Sequence, residues 1–144
     1  MELSIRLLKS SDSKPIVELC TQLGYQVTSE DTTNRISEIL AKSDNCAFCA
    51  TENESVIGWI HGFEAIRIES GPFVEIGGLI IDEKYRHIGI GRKLVQMVID
   101  WANSRNISSI RVRCNLNRKE AHQFYKNLGF IELKEQIVYS LKLS

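Results

Sequence analysis

The chain carries no excess of either charge. Its 18 Lys and Arg balance 18 Asp and Glu, for a formal net charge of +0. A general nucleic-acid binder shows a basic excess or a basic stripe, so that class is disfavoured. No apolar run approaches the ~18 residues needed to cross a bilayer. The start, Met1 to Arg6, has no basic segment followed by a long apolar one, as a secretory signal would. These absences predict a soluble, cytoplasmic chain with no membrane and no nucleic-acid partner. There is also no internal repeat, low-complexity tract or linker, and 144 residues suffice for one domain with its own core.

Cysteine is sparse. Cys46 and Cys49 have C-x-x-C spacing, but neither Cys20 nor Cys114 has a second ligand beside it, as a zinc site would need. Cys46 to Ala50 reads as a strand, and residues three apart on a strand face opposite ways. The four thiols are therefore expected to be reduced and buried or half-buried, and no metal is expected. With 43% hydrophobic and 25% charged residues, disorder is not expected either.

What is present is a clear alternation of patterns. Ser4 to Leu8 reads as a strand. Ser11 and Asp12 would cap a helix that has Pro15 in its first turn and stops at Gly24. A second helix starts near Ser29. Strands are expected over Cys46–Thr51, Val56–Ile66 and Phe73–Ile81, the first two joined through Asn53 and Glu54 by a hairpin of about four residues. Ile90, Leu94, Met97, Val98 and Trp101 recur at helical spacing up to about Asn103. Ser109–Asn115 is a strand pattern and Arg118–Leu128 a helix ended by Gly129. Ile131–Leu143 is strand-like, with a bend near Lys134 and Glu135. The order β-α-α-β-β-β-α-β-α-β predicts a mixed α/β (α+β) domain, with a mostly antiparallel sheet of six to seven strands and four helices.

One stretch stands out. The strand ending in Leu79, Ile80 and Ile81 leads through an acidic turn into Arg86, His87, Ile88, Gly89, Ile90, Gly91 and Arg92, where the next helix opens. Glycines two apart clear side chains from a backbone whose amides lie at the positive end of a helix. Such a loop suits a phosphate or pyrophosphate. It lacks the G-K-[ST] of a P-loop, and Leu94 stands where the dinucleotide fingerprint has its third glycine. Gly77 and Gly78 in mid-strand point to a bulge or a close backbone approach.

The loop Arg86–Gly91, the strand Glu75–Asp82 before it and the segment Ala121–Phe130 together resemble three motifs of the GNAT superfamily of acyl-CoA-dependent N-acetyltransferases. These are [Q/R]-x-x-G-x-[G/A], the strand leading into it, and A-x-x-F-Y-x-x-x-G-F. The resemblance runs over nearly the whole chain and implies a single N-acetyltransferase domain over residues 1–144. The implied co-substrate is acetyl-CoA, with its pyrophosphate on the amides of Arg86–Arg92. Its pantetheine arm would lie along the main chain of Leu79 and Ile81, with an amide near Leu79 or Ile80 facing the thioester oxygen. Asn115 or Asn117 would contact the pantetheine, Asn115 being favoured. Tyr125 would protonate the leaving thiolate. Glu75 would accept the amine proton, directly or through water, or else bind the ammonium without moving protons. The implied reaction is direct attack of a primary amine, of a small molecule or a protein, in a ternary complex. A CoA-binding sensor without useful turnover is the alternative, against which Glu75 and Tyr125 argue. A homodimer is the assembly common in the family. His61 has no readable role, and His122 reads as a packed helix residue.

Overall fold

The computed structural model describes residues 2–144. These divide into two compact units, residues 2–112 and 113–144. In the first, strands β1 (Leu3–Leu7), β2 (Asn45–Glu52), β3 (Ser55–Arg67), β4 (Gly71–Ile81) and β5 (Ile110–Val112) form one sheet in that order. The first four are antiparallel neighbours, and β5 joins β4 in parallel. Helices α1 (Ser13–Gln22) and α2 (Ser29–Leu40) lie between β1 and β2 in the chain, and α3 (Ile90–Ser104) forms the crossover from β4 to β5.

Side-chain alternation assigns the two faces. Ala47 and Cys49 of β2 pack with Leu8, Ile16 and Ile36, and Trp59 of β3 lies against that cluster. On the other face, a Cβ at Gly62 would meet Cys46 Sγ and Val98 of α3, each at 3.1 Å. Cys46 and Cys49 thus point apart, as their spacing predicts. Burial pushes both thiols up to about 11, so they are protonated near neutrality. The buried stripe of α3 is Ile90, Leu94, Val95, Val98 and Ala102. It is centred slightly away from the expected one, and Met97 and Trp101 sit on its margin. Each fully buried side chain of this kind contributes roughly 1.5–3 kcal/mol.

Local chemistry sets the element ends. Gly24 takes φ +85°, so that Tyr25 N–H reaches Cys20 O (3.1 Å) and Gly24 N–H reaches Thr21 O (2.9 Å), closing α1. Thr28 caps α2 by accepting from Asp31 N–H at 3.1 Å. Asp12 does not cap α1, as its place in the sequence suggested. It lies in a single 3-10 turn, Ser10–Asp12, and its carboxylate accepts from Arg6 Nη1 and Nη2 (both 2.9 Å) and Lys9 N–H (2.8 Å).

Three expectations are corrected. The β2–β3 hairpin turns on two residues, Asn53 and Glu54, not about four; both have positive φ, as a type I′ turn requires. Strand β5 holds three residues rather than seven. Residues 131–143 form no strand, and the sheet has five strands rather than six or seven. The apolar residues of that tail, from Ile131 to Leu143, are 66–88% exposed.

In the second unit, α4 (Lys119–Asn127) ends at Gly129, with φ +96° and Phe130 N–H on Tyr125 O at 3.0 Å.

Candidate active site

The site begins at a defect in β4. Gly62 of β3 pairs with Ile76, and His61 pairs with Gly78, so Gly77 is an extra residue in the ladder. This is a β-bulge, and it coincides with the close approach that the paired glycines suggested. A Cβ on Gly78 would lie 2.6 and 2.8 Å from the Trp59 ring, and one on Gly77 would lie 2.9 Å from His61 Nδ1. The two aromatic rings of β3 lie across the glycines of β4.

On its other edge, β4 pairs with β5 through Val74, Glu75 and Ile76, and the ladder ends at Ile76–Val112. Beyond it, Gly77–Ile81 has no partner strand on that side within the first unit. Asp82 N–H donates to Ile57 O at 2.8 Å, which directs the main chain of Asp82 and Ile80 toward β3. The main chain of Leu79 and Ile81 therefore faces the open edge. Of the two expected amides, that of Leu79 lies on the open edge and that of Ile80 is turned toward β3. One outward group is already engaged: Arg86 Nε donates to Ile81 O at 3.2 Å. Arg86 ties the strand end to the loop, and its Nε is not available to a ligand.

A 3-10 turn, Glu83–Tyr85, leads into that loop, with Asp82 accepting from Lys84 N–H at 3.0 Å. His87 (φ 66°) and Gly89 (φ 90°) both take the left-handed conformation, and Gly89 occupies the cap position of α3. The first bond inside the helix is Lys93 N–H to Gly89 O at 3.2 Å, and no side chain caps this end. The amides of Ile90, Gly91 and Arg92 thus lack intrahelical acceptors. A Cβ at Gly89 would meet nothing within 4 Å, so the space over the loop is open. His87, Ile88, Arg92 and Lys93 are exposed, while the Ile90 side chain is buried in the core. A cleft of about 250 Å³, lined by Leu3, Ser4, Ile5, Ala50, Ile90 and Lys93, lies by the first turn of α3 against β1 and β2, away from the open edge of β4.

Glu75 is half-buried, between Phe63 on β3 and Arg111 on β5. Residues 73, 75 and 77 share the face of Trp59, His61 and Phe63. Next to Glu75, the Arg111 guanidinium lies 4.1 Å from the centre of the Phe73 ring. Glu64, on β3, is ion-paired with Arg105.

The structure reveals a chain that the sequence reading missed. Asn45 Nδ2 donates to Asp44 Oδ1 (2.8 Å), and Asn45 Oδ1 lies 2.7 Å from His61 Nε2. Hairpin register could have shown it, because Asn45 pairs with Phe63, one step along the same face from His61.

The second unit holds Tyr125 and Asn115. Tyr125 is buried, edge-on to Phe124 (4.9 Å) and Phe130 (5.3 Å). Burial raises its pKa strongly, Cys114 adds to this, and Arg118 opposes it, so the phenol holds its proton at neutral pH. The carbonyl of Asn115 accepts from Arg118 N–H (3.1 Å) and lies 2.8 Å from His122 Nε2. His122 pins the loop before α4 rather than merely packing.

Comparison with known proteins agrees with this geometry. The sequence profile of the Acetyltransferase (GNAT) family matches residues 14–130. The chain is 28% identical over 134 residues to glucosamine 6-phosphate N-acetyltransferase of Arabidopsis thaliana, covering 87% of each. It is 27% identical over 122 residues to the uncharacterized N-acetyltransferase YhdJ of Bacillus subtilis (strain 168), covering 83% of each. In fold it resembles AAC(6')-Iy, solved in complex with the bisubstrate analog CoA-S-monomethyl-acetylneamine, with a TM-score of 0.87 over 99% of this chain and 100% of that one at 18% identity. An open strand edge feeding an uncapped, glycine-lined helix start, on a chain matched from residue 14 to residue 130, places this protein in the acetyltransferase (GNAT) family.

Proposed function

We propose that residues 1–144 form one acetyl-CoA-dependent N-acetyltransferase domain. It transfers an acetyl group to a primary amine of a small molecule or a protein by direct attack. The observation that carries this reading is the end of the β4–β5 ladder at Ile76–Val112, followed within the same stretch of chain by the uncapped start of α3. An open main-chain edge suits the amide-bearing arm of CoA, and first-turn amides suit its pyrophosphate. The groups fit this ligand. Leu79 offers an outward N–H and C=O, Ile81 an outward N–H, and Gly89 leaves the space above the loop empty.

Acetyl-CoA supplies the acyl group and a thiolate leaving group. The protein positions and moves protons. Tyr125, protonated near neutrality, holds the proton that the thiolate takes up. Glu75 draws and binds the cationic acceptor. The Asn115 loop, pinned by His122, contributes to the pantetheine site. A relative of 28% identity that acts on an amino sugar phosphate supports an amine acceptor.

Titration calorimetry with acetyl-CoA, on the wild type and on the Gly89→Glu/Gly91→Glu variant, tests the reading. Micromolar binding by the wild type, lost in a folded variant, supports it. A folded wild type that binds no acetyl-CoA would overturn it.

A further inference from the structure

Resting on that reading, we infer that His61 Nδ1 is the atom that takes the proton from the acceptor amine. The partners of the imidazole ring fix its tautomer. Asp44 is a carboxylate and can only accept from Asn45, which fixes Asn45 with its Nδ2 toward Asp44 and its Oδ1 toward His61. A carbonyl oxygen accepts, so His61 Nε2 must carry the hydrogen. Nδ1 is then the lone-pair nitrogen. It faces Gly77, 2.9 Å from where a Cβ would stand, and Gly77 has none. The extra residue of the bulge is therefore a position on β4 where a side chain would cover this lone pair.

The surroundings suit a proton acceptor for a cation. Glu75 lies on the same face of the sheet, two residues before Gly77. Phe63 packs beside the imidazole, ring centres 5.5 Å apart, and completes a wall with an apolar surface and a carboxylate. Burial lowers the His61 pKa, so the ring is neutral and able to accept near pH 7. The titratable groups toward it are Asp44 ahead of β2 and Glu75 on β4; Cys20 on α1, whose thiol burial keeps protonated, packs on the cluster that holds Ala47, the β2 partner of His61. In the step itself an N–H bond of the substrate ammonium breaks and an Nδ1–H bond forms. The amine is left with its lone pair, and the imidazolium charge is carried by the Nε2–H to Asn45 to Asp44 chain. Asn45 and Asp44 are positioning residues: they choose which nitrogen is basic.

Two measurements test this. Long-range 1H–15N correlation on the free protein reads the tautomer directly. The Nε2–H form is expected, and an Nδ1–H form overturns the proposal without any substrate. Steady-state transfer from acetyl-CoA to a panel of primary amines, including an aminoglycoside and glucosamine 6-phosphate, is then compared for the wild type and His61→Gln. The variant should bind acetyl-CoA as the wild type does and keep its melting temperature. It should lose about 10²-fold in kcat and lose the acid limb of the kcat/KM profile, with partial rescue of His61→Gly by imidazole. Activity of His61→Gln within about threefold of wild type, with the acid limb unchanged, overturns the role of His61 and leaves the acetyltransferase reading standing. A wild type that binds no acetyl-CoA, or binds it and acetylates no amine, fells both.

Discussion

Gly78→Ala tests the packing that shapes the site. The added methyl would stand 2.6 and 2.8 Å from two carbons of the Trp59 ring, against the ordinary 3.4 Å or more. The overlap is 0.6–0.8 Å, and the neighbour is a rigid indole rather than a flexible chain end. The ring cannot simply withdraw, because it already packs against Leu8, Ile16, Ile36 and Cys49. Its Nε1 is buried without a hydrogen-bond partner, so nothing ties the ring to a second resting place. Overpacking of this kind costs about 1–3 kcal/mol. Alanine recovers roughly 0.4–1 kcal/mol through the unfolded chain. The net loss is therefore about 1–2 kcal/mol, or a fall in Tm of roughly 2–8 °C for a chain of this size. Scanning calorimetry on the wild type, Gly78→Ala, Trp59→Leu and the double variant measures it. In the Trp59→Leu background the methyl should become neutral or slightly stabilising, giving a coupling above ~1 kcal/mol. A Gly78→Ala protein as stable as wild type, or a double variant whose effects simply add, would refute the close approach as the reason for glycine here.

Other outcomes follow from single sites. Asp12→Asn should lower stability by about 1–3 kcal/mol by unfolding in urea, since it removes a charged acceptor of three hydrogen bonds. Burial raises the Asp12 pKa, but the bonds from Arg6 and Lys9 outweigh it and leave it lowered; its contribution is complete above the unfolded value near ~3.9 and is lost as pH falls through the folded one, so the variant should have a flatter acid limb of stability. Tyr125→Phe should lose roughly 10²-fold in kcat with acetyl-CoA affinity retained, and an unchanged kcat would remove the phenol from the reaction. Cys46 and Cys49, held as thiols at neutral pH, should react with Ellman's reagent only after denaturation, and rapid labelling of the native protein at either one would contradict their burial.

Much of this was legible in the sequence, for reasons that differ by element. The helices announced themselves through local signals: Pro15, Gly24 and Gly129 act within a turn of where they stand. The glycine loop was legible for the same reason, since a turn of main chain into a helix start is a few consecutive residues. Ladder lengths were not. The pattern Ile110, Val112, Cys114 alternates well beyond the three residues that pair, because alternation records which face a side chain takes and not whether a neighbouring strand continues. The tail shows the same limit: Ile137, Tyr139, Leu141 and Leu143 alternate like a strand and form none. The side-chain partners of Arg86 and Asp12 were not legible, for a different reason. Their side chains turn back, to Ile81 O and to Arg6 and Lys9 N–H, and such bonds depend on rotamers that spacing does not encode. His61 was unreadable because its partner, Asn45, is sixteen residues away across a hairpin.

The bulge explains why the β4–β5 ladder stops where it does, and it can be removed. Val74 N–H donates to Ser109 O at 2.9 Å, so Val74 and Ile76 direct their main chain toward β5. The next outward residue is Leu79, three positions on instead of two, because Gly77 is extra. A parallel neighbour needs outward groups at every second residue, so β5 cannot follow past Ile76. Toward β3 the same insertion is absorbed: Glu75 on one side of it and Gly78 and Ile80 on the other all take the face of Phe63, His61 and Trp59, with which they pair. Deletion of Gly77 should therefore leave the side-chain pattern of β4 intact while restoring a regular outward edge. We expect a folded protein with Tm within a few degrees of wild type, judged against the ~2–4 °C per kcal/mol of such a domain. Added pairing of β4 should close the edge at Leu79, and acetyl-CoA binding should fall by at least about tenfold, a loss of ~1.4 kcal/mol. Amide exchange separates the causes. Slower exchange at Leu79 with binding lost supports the argument, whereas a folded deletion variant that binds acetyl-CoA like the wild type shows that the open edge does not depend on the bulge.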